Sequence, residues 1–298
     1  MDWTSCRFCP RECGVDRTKG KGACGCGVDL RVARAGLHFG EEPCISGTQG
    51  SGTVFFSGCS LGCCFCQNAP VSCGERGIRI PTDRLSEIFL ELQTQGAHNI
   101  NLVTPSHFLP HIVDALSAVH SRLRIPVVYN TGGYERVESL RKLDGLVQVY
   151  LPDLKYFSTA LSARYSGAAD YFTHAILALR EMYRQTGSVV FNENGMLCQG
   201  VLVRHLVLPG CRWDSVALLE HLARLFPTKE IRLSLMAQYT PCYHASNFPE
   251  INRKLWTAEY QTVAAAAVRL GFEGYLQDRA SASLKMTPKF DGSGVLNS

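Results

Sequence analysis

The stretch that decides the fold runs from Thr53 to Ala69 and reads TVFFSGCSLGCCFCQNA. Its first four residues are a short apolar run, which predicts a buried β-strand that ends in Ser57-Gly58. Three cysteines follow, Cys59, Cys63 and Cys66, with the spacing C-x3-C-x2-C. Loops that follow the strands of α/β sheets and barrels carry the reactive groups of many enzymes. The pattern therefore predicts a reactive site directly after a strand.

The cysteine spacing favours an iron–sulfur cluster. Thiolates are the usual ligands of such clusters, and a cluster held by protein alone takes four of them. Three thiolates would leave one iron of a [4Fe–4S] cluster without a protein ligand, and an open metal position is where chemistry takes place. A zinc clip is the alternative, although zinc sites usually repeat C-x2-C pairs, and this loop has a single pair and no neighbouring histidine. Cys64 is a further candidate ligand.

The motif Cys59-x3-Cys63-Cys64-Phe65-Cys66, with an aromatic residue before the third cysteine, resembles the signature of radical S-adenosylmethionine (SAM) enzymes. The continuation Gln67-Asn68-Ala69-Pro70 resembles the segment that follows in glycyl-radical-enzyme activases, where His-Asn-Pro is typical. The similarity runs from the N-terminal cysteines to about residue 275 and is strongest to the pyruvate formate-lyase-activating-enzyme-like group.

This resemblance implies an oxidoreductase that uses a [4Fe–4S] cluster to cleave SAM reductively. The 5′-deoxyadenosyl radical then abstracts hydrogen from a target, which the resemblance implies is a glycine of a glycyl-radical enzyme. It also implies SAM and an electron donor such as flavodoxin or ferredoxin as partners. Two alternatives stay open, namely a radical SAM enzyme that acts on another peptide or a small metabolite, and a non-catalytic zinc or iron–sulfur protein on an α/β scaffold.

Composition excludes several other classes of function. The chain has 298 residues and a net charge of +4, which is too small to indicate nucleic acid or a membrane surface as a partner. No apolar run reaches the ~20 residues that a membrane span needs. The N-terminus lacks the basic and apolar regions of a signal peptide, so the 14 cysteines favour metal ligation over disulfides. We expect a reducing, low-oxygen cytoplasm, because exposed clusters oxidise.

A second group of cysteines opens the chain. Cysteines interleaved with glycine and proline form a metal-knuckle pattern rather than a helix or a strand. The expected ligands are Cys6, Cys9, Cys13 and Cys24, with Cys26 as the spare. Zinc would make this a closed structural site, and a second [4Fe–4S] cluster would make it an electron relay. Spacing alone leaves both metals open, because tetrahedral thiolate sites suit either.

The remainder of the chain alternates strands with helices. Strands are expected at 53–56, 99–103, 126–129, 146–151, 201–208 and 231–236, each followed by a helix. This alternation predicts a parallel sheet with helices outside, and six units are too few to close an eight-fold barrel. We therefore predict an α/β fold with a partial (β/α)6 barrel over residues 51–276. A cysteine-rich cap would cover residues 1–50, and residues 277–298 would form a loose tail.

The resemblance implies roles for residues at the strand ends. Thr104 stands where the activases carry a Gly-Gly-Glu segment that binds the SAM amino group through backbone carbonyls. Asn130 replaces the aspartate of an Asp-Thr-Asn-Gly segment, which argues against a charge-dependent role such as cation binding. Asp153 and Lys155 match an Asp-Leu-Lys segment that contacts the methionine part of SAM. A carboxylate suits the SAM amino group, and an ammonium suits its carboxylate.

Several other polar residues need a structural explanation. Arg204 and His205 form a basic pair inside an apolar strand, where a buried charge needs a partner, and the resemblance assigns this position to a SAM contact, with His205 preferred. Glu41 and Glu42 are interpreted as part of an exposed polar loop, since adjacent acidic residues are mostly exposed, and a hydrogen bond to a substrate backbone is the alternative. Gln238 and Tyr239 are expected to line the substrate opening, and Cys44 is expected to be a small buried residue. The other isolated cysteines are expected to be free thiols: Cys73, Cys198, Cys211 and Cys242.

Overall fold

The computed structural model describes residues 2–72, 74, 76–277 and 287–296. The strands are β1 Arg31–His38, β2 Ser51–Phe56, β3 Ile78–Arg79, β4 Ile100–Val103, β5 Val127–Thr131, β6 Val149–Pro152, β7 Val190–Phe191, β8 Leu197–Leu206, β9 Arg232–Met236 and β10 Gly274–Leu276. The centre of the fold is a run of parallel strands that pair in the order β10-β9-β8-β6-β5-β4-β2. Strands β1 and β3 are added antiparallel at the β2 edge, and β7 pairs antiparallel with β8. All six strands expected from the sequence are present.

Helices follow the parallel strands and pack on the outside of the sheet. The sequence pattern explains this, because helices such as Thr82–Thr94 and Leu109–Val119 have one apolar face and the strands are buried on both faces. The helices are α1 Pro43–Ser46, α2 Ala69–Ser72, α3 Thr82–Thr94, α4 Leu109–Val119, α5 Val137–Leu140, α6 Thr159–Ser166, α7 Tyr171–Thr186, α8 Arg212–Leu225 and α9 Thr257–Arg269. The fold is therefore the partial (β/α)6 barrel predicted above.

Residues 31–50 pack closely with the barrel strands. Strand β1 pairs with β2 along its length, and the short helix α1 lies inside the barrel. Ile45 of α1 is fully buried, and its carbonyl accepts a hydrogen bond of 2.7 Å from the Asn99 side chain. Around α1, the interior is filled by Val128, Val149, Leu151 and Leu202. The division of the chain at residue 50 stays a prediction.

The described part of the C-terminal segment, residues 287–296, packs against the barrel instead of forming a loose tail. The Ala35 amide donates to the Ser293 carbonyl at 2.9 Å, and Val295 is fully buried. Gly294 has φ +69°, and a Cβ there would come within 2.2 Å of the Ala35 carbonyl oxygen. Only glycine permits this close approach between the segment and β1.

Among the described residues, no helix has the length and apolar character needed to cross a membrane.

Glu259 of α9 joins three parts of the chain and provides a test of the fold. Its carboxylate accepts hydrogen bonds from the Gly210 amide at 2.7 Å and the Trp256 amide at 2.9 Å, and it pairs with Arg253 at 2.7 Å. The Arg253 hydrogen bond is the main reason that the pKa of Glu259 falls to about 2.

We expect Glu259→Gln to lower the free energy of unfolding at neutral pH by about 2 kcal/mol, because hydrogen bonds to a charged group are lost. The pKa of Glu259 is depressed in the folded state, so this stabilisation is present above the unfolded pKa and is lost as the pH falls towards about 2. Urea denaturation at two pH values measures it. The control is Glu273→Gln, whose exposed pairing with Arg232 contributes under ~1 kcal/mol. Equal effects of the two variants at neutral pH would contradict the assignment.

Candidate active site

The three cysteines of the loop after β2 face one cavity at the carboxyl ends of the strands. Cys59, Cys63 and Cys66 line this cavity, which has a volume of about 240 Å³. Gly58 begins the loop with φ +90°, and a Cβ there would lie only 2.5 Å from the Cys26 sulfur. The glycine therefore lets the loop turn tightly beneath the N-terminal cap.

The surroundings of these thiols suit metal ligation. The Ser166 hydroxyl donates to the Cys63 sulfur at 3.0 Å, and the Leu61 amide donates to the Cys59 sulfur at 3.4 Å. Burial is the main cause that raises the pKa of Cys66 to about 12, and nearby Lys155 acts in the opposite direction. The hydrogen-bond donors and the cation beside these sulfurs offset part of this effect of burial and favour thiolates, which are the form that binds iron.

Cys64 takes no part in this arrangement. Its amide donates to the Tyr165 carbonyl, its carbonyl accepts from the His244 amide, and its side chain is not among the described residues that line the cavity. Phe65 does line the cavity, and its ring packs edge-on against Tyr239 at 5.8 Å. The aromatic residue of the motif thus forms part of the wall beside the three thiols.

Five of the six strand-end residues singled out in the sequence meet at the same cavity. They come from four successive strands of the barrel, since parallel strands end at one edge. The five residues are Thr104, Asn130, Asp153, Lys155 and Arg204. The fold therefore brings together residues that lie up to 100 positions apart in the chain.

Arg204 joins the charged residues of the cavity into one network. Its Nε donates to Asp153 Oδ1 at 2.9 Å, and its Nη2 donates to Asn130 Oδ1 at 2.6 Å. The third contact runs from Nη1 to Glu41 Oε2 at 3.2 Å. The buried guanidinium thus satisfies its donors with three different parts of the chain.

Glu41 and Glu42 are interior residues, so their reading as an exposed loop is wrong. They precede α1 and are carried into the barrel by the same segment. Glu41 Oε1 accepts from the side chains of Asn101 and Asn130, each at 3.3 Å. Burial raises the pKa of both carboxyls, while Arg204 acts in the opposite direction. Pro43 at the start of α1 is the only local signal that a buried element follows.

Lys155 and Asp153 form a close ion pair at the cavity wall. Lys155 Nζ lies 2.6 Å from Asp153 Oδ2. Burial opposes protonation of Lys155, but Asp153 and the Cys63 thiol raise its pKa, so the ammonium is retained. The Tyr171 hydroxyl accepts from the Lys155 amide and donates to the Asp153 carbonyl at 2.8 Å, which fixes the backbone on both sides of Leu154.

Thr104 adopts a backbone conformation that is unusual for its residue type. Its φ is +58°, in the left-handed region, and its amide donates to the Asn130 carbonyl at 2.8 Å. A β-branched residue in this region is a steric outlier and costs about 1–3 kcal/mol. Strain of this kind concentrates at functional sites.

His205 lies on the opposite face of β8 from Arg204 and outside the cavity. Its Nδ1–H donates to the Leu154 carbonyl at 2.6 Å, and its Nε2 accepts from the Ser215 hydroxyl at 2.8 Å. Burial lowers the pKa of His205 to about 4, so the ring is neutral. The structure thus gives His205 a positioning role on the Asp153–Lys155 segment rather than the predicted contact with the cofactor.

The two residues expected at the substrate opening lie in different surroundings. Gln238 lines the cavity, whereas Tyr239 is buried and donates to the Ile251 carbonyl at 2.8 Å. Of the isolated cysteines, four are free thiols, and Cys73 lies outside the described residues: the four are Cys44, Cys198, Cys211 and Cys242.

The N-terminal cap is attached to the cysteine loop by Arg11. Its guanidinium donates to the carbonyls of Ser60 at 2.8 Å and Leu61 at 3.1 Å, between Cys59 and Cys63. It also donates to the carbonyls of Ser166 and Gly167 at the end of α6. A cation is favourable there because it meets the negative end of the helix dipole.

The cap cysteines are gathered close to this loop. Cys6, Cys9 and Cys24 are buried and Cys13 is partly exposed. A Cβ on Gly22 would stand 3.3 Å from the Cys13 sulfur and 3.6 Å from the Cys24 sulfur, so glycine leaves space between the two thiols. As the side chains stand, no group of three or more His, Cys, Asp or Glu in the described ranges is arranged around a single metal ion.

The contacts of Glu41 predict that it contributes more to stability than its neighbour. Glu41 accepts three hydrogen bonds, whereas Glu42 Oε2 is buried without a partner. We expect Glu41→Gln to lower the free energy of unfolding by about 2 kcal/mol, because an amide faces Arg204 in place of a carboxylate. Glu42→Gln, the matched control, should change it by less than about 1 kcal/mol. Anaerobic urea denaturation compares the variants, and a larger loss in Glu42→Gln would contradict this reading.

Comparison with known proteins supports the fold. No protein-family model matches the chain. The uncharacterized protein MJ0674 of Methanocaldococcus jannaschii is 28% identical over 280 residues, which cover 90% of this chain and 76% of that protein.

Two solved structures share the architecture. SuiB of Streptococcus suis, crystallised with bound S-adenosylmethionine, matches with a TM-score of 0.51 at 13% identity, over 74% of this chain and 48% of SuiB. Methylornithine synthase (PylB) matches with a TM-score of 0.50 at 15% identity, over 79% of this chain and 67% of PylB. The chain thus spans about half of SuiB. This chain therefore shares the partial-barrel fold of SuiB and PylB.

Proposed function

We propose that this protein is a radical SAM enzyme. The observation that carries the proposal is the meeting of three thiols and a paired Asp153–Lys155–Arg204 network at one cavity. Cys59, Cys63 and Cys66 would hold the [4Fe–4S] cluster. When bound, the cluster supplies the electron that cleaves SAM to methionine and a 5′-deoxyadenosyl radical, and the radical takes a hydrogen atom from the target.

The ion pair at the cavity wall suits the amino-acid end of SAM. That end carries one ammonium and one carboxylate, and Asp153 and Lys155 offer the opposite charges at 2.6 Å from each other. Binding would therefore replace one ion pair with two, without leaving a buried charge unpaired. Arg204 keeps Asp153 ionised, because its guanidinium and Lys155 lower the pKa of that carboxyl against the effect of burial.

The remaining wall would exclude water from the reaction. Apolar side chains cover the side of the cavity around the thiols, among them Phe55, Phe65, Leu206 and Met236. A radical that abstracts hydrogen must be protected from side reactions, and a dry site does this. The protein's contribution is thus orientation and exclusion of solvent.

For the target, we propose a glycine in the backbone of a protein partner, a glycyl-radical enzyme. The residues beyond the charged network are uncharged, and they include Gln67, Asn68, Ser72 and Gln238. Neutral amide side chains suit a peptide backbone better than a charged metabolite. The resemblance of the segment after Cys66 to the activases supports the same target.

We also propose a second metal site in the cap, with Cys6, Cys9, Cys13 and Cys24 as ligands. Cys26 is the spare thiol, because its S–H donates to the Ser57 carbonyl at 3.2 Å and its sulfur packs closely against Gly58. Buried thiols grouped beside tightly turned glycines are typical of metal knuckles.

The catalytic proposal predicts different results for two neighbouring cysteines. After anaerobic reconstitution with iron and sulfide, the reduced protein should convert SAM to 5′-deoxyadenosine and methionine. Cys63→Ala should abolish this product, because a cluster ligand is lost. Cys64→Ala should retain it, since the Cys64 side chain is outside the described cavity lining. Chromatography of 5′-deoxyadenosine measures both. Product from Cys63→Ala, or none from a wild-type protein that holds the cluster and binds SAM, would reject the proposal.

Lys155 provides a separate test of SAM binding. We expect Lys155→Met to weaken SAM binding about 10- to 100-fold, because a buried charge-assisted hydrogen bond is worth about 1.5–3 kcal/mol. Equilibrium dialysis with labelled SAM measures this without turnover. Lys142→Met, which removes an exposed lysine, is the control and should bind normally. Unchanged affinity in Lys155→Met would mean that this ammonium does not contact SAM.

A further inference from the structure

Arg17 carries a buried positive charge that the described chain does not balance. The residue is 1% exposed, and its Nη2 donates to the Gly27 carbonyl at 2.6 Å. Nη1 donates to the His107 carbonyl, and Nε has no partner. Within the described ranges, Arg17 pairs with no carboxylate. The rings of Trp3, Phe8 and Phe108 lie 4.8, 6.0 and 5.6 Å from Arg17 Cζ and offset part of the cost of burying this charge. They carry no net charge, so a negative group is still expected beside the guanidinium.

The side chain of Arg17 lies among the cap cysteines, and its guanidinium contacts one of them. The Cys6 sulfur lies 3.9 Å from Nη1, and the space at Gly22 that separates the Cys13 and Cys24 sulfurs is also bordered by the Arg17 side chain at 3.8 Å. Four thiolates around a metal core carry net negative charge. Arg17 is therefore placed as the internal counter-charge of a tetrathiolate centre.

The same centre lies next to the active-site loop. The Cys59 amide donates to the Cys24 carbonyl at 3.2 Å, so one hydrogen bond links the backbones of a cap cysteine and a cluster cysteine. The cap does not need a metal for its attachment, because Arg11 binds the loop and the Ser139 hydroxyl donates to the Phe8 carbonyl at 2.7 Å. A redox-inert ion would add little to these contacts, whereas a redox centre at this position could pass electrons to the site on the cysteine loop after β2.

We infer that the cap cysteines bind a second [4Fe–4S] cluster, with Arg17 as its buried counter-charge, and that this cluster is the entry point for electrons. The inference rests on the proposed function. One electron passes from a low-potential carrier of the ferredoxin or flavodoxin class, which is oxidised, to the cap cluster, which is reduced. The cap cluster returns to its oxidised state when it passes the electron to the active-site cluster. No proton or bond is involved.

The first experiment isolates the cap centre by removing the other ligands. The variant Cys59→Ala/Cys63→Ala/Cys66→Ala, reconstituted anaerobically, should retain ~4 irons and ~4 sulfides per chain and, after reduction with dithionite, give the spectrum of a reduced cluster. Adding Cys9→Ser should abolish it, and adding Cys26→Ser, the matched control, should not. Bound zinc without iron and sulfide would overturn the inference, as would loss of the cluster in the Cys26→Ser variant.

Arg17 is tested by a reduction potential rather than by activity. In the triple variant, Arg17→Gln should shift the cap potential to a lower value, because a buried positive charge favours the reduced cluster. Arg7→Gln removes an exposed charge from the same segment and should leave the potential unchanged. Arg17→Lys, which keeps the charge, covers the case in which Arg17→Gln does not fold. Equal potentials in the wild-type and Arg17→Gln caps would overturn the counter-charge assignment.

The electron route has a readout of its own. With all active-site cysteines present, Cys9→Ser should lose 5′-deoxyadenosine formation driven by a reduced ferredoxin-type protein but keep that driven by dithionite. Equal loss or equal retention with both reductants would reject the relay. Failure of the catalytic proposal is distinguishable, because the wild-type protein would then form no product with either reductant although the cap cluster assembles in the triple variant.

Discussion

The guanidinium of Arg204 lies inside the barrel and needs partners for its charge and its hydrogen-bond donors. The other residues of the site provide these partners. Arg204 binds Asp153, Asn130 and Glu41, so three strands' ends and the segment before α1 must converge on one point. Removing either carboxylate leaves the buried guanidinium with one counter-charge instead of two. The same network keeps Lys155 at the cavity wall, through its ion pair with Asp153.

Two segments that precede β2 complete the site. The segment with Glu41 enters the barrel and supplies its polar interior, while the cap lies over the cysteine loop. Arg11 and Arg17 make comparable contacts in the cap, since each donates to the backbone carbonyl of a residue that follows a cysteine. Arg11 donates to Ser60, after Cys59, and Arg17 donates to Gly27, after Cys26. The loop is thus fixed by contacts far away in the sequence, which is what a reactive centre needs for orientation.

The sequence predicted the six parallel strands and the loop cysteines, because apolar runs and cysteine spacing are local signals. It also predicted that Asp153 and Lys155 follow a strand. It did not predict that Glu41 is buried, since adjacent acidic residues are exposed in most proteins and the partner, Arg204, lies 163 residues away. The docking of residues 287–296 was missed for the same reason.

The pair Arg204–His205 shows where sequence information ends. The sequence alone determined that two basic residues lie in a buried strand and need partners. Only the tertiary structure decided that Arg204 faces the cavity and that His205 faces Leu154 and Ser215. Neighbouring side chains of a strand point to opposite faces, but which face borders the site depends on how the strand pairs with others. Pairing is a property of the whole barrel, so no local pattern contains it.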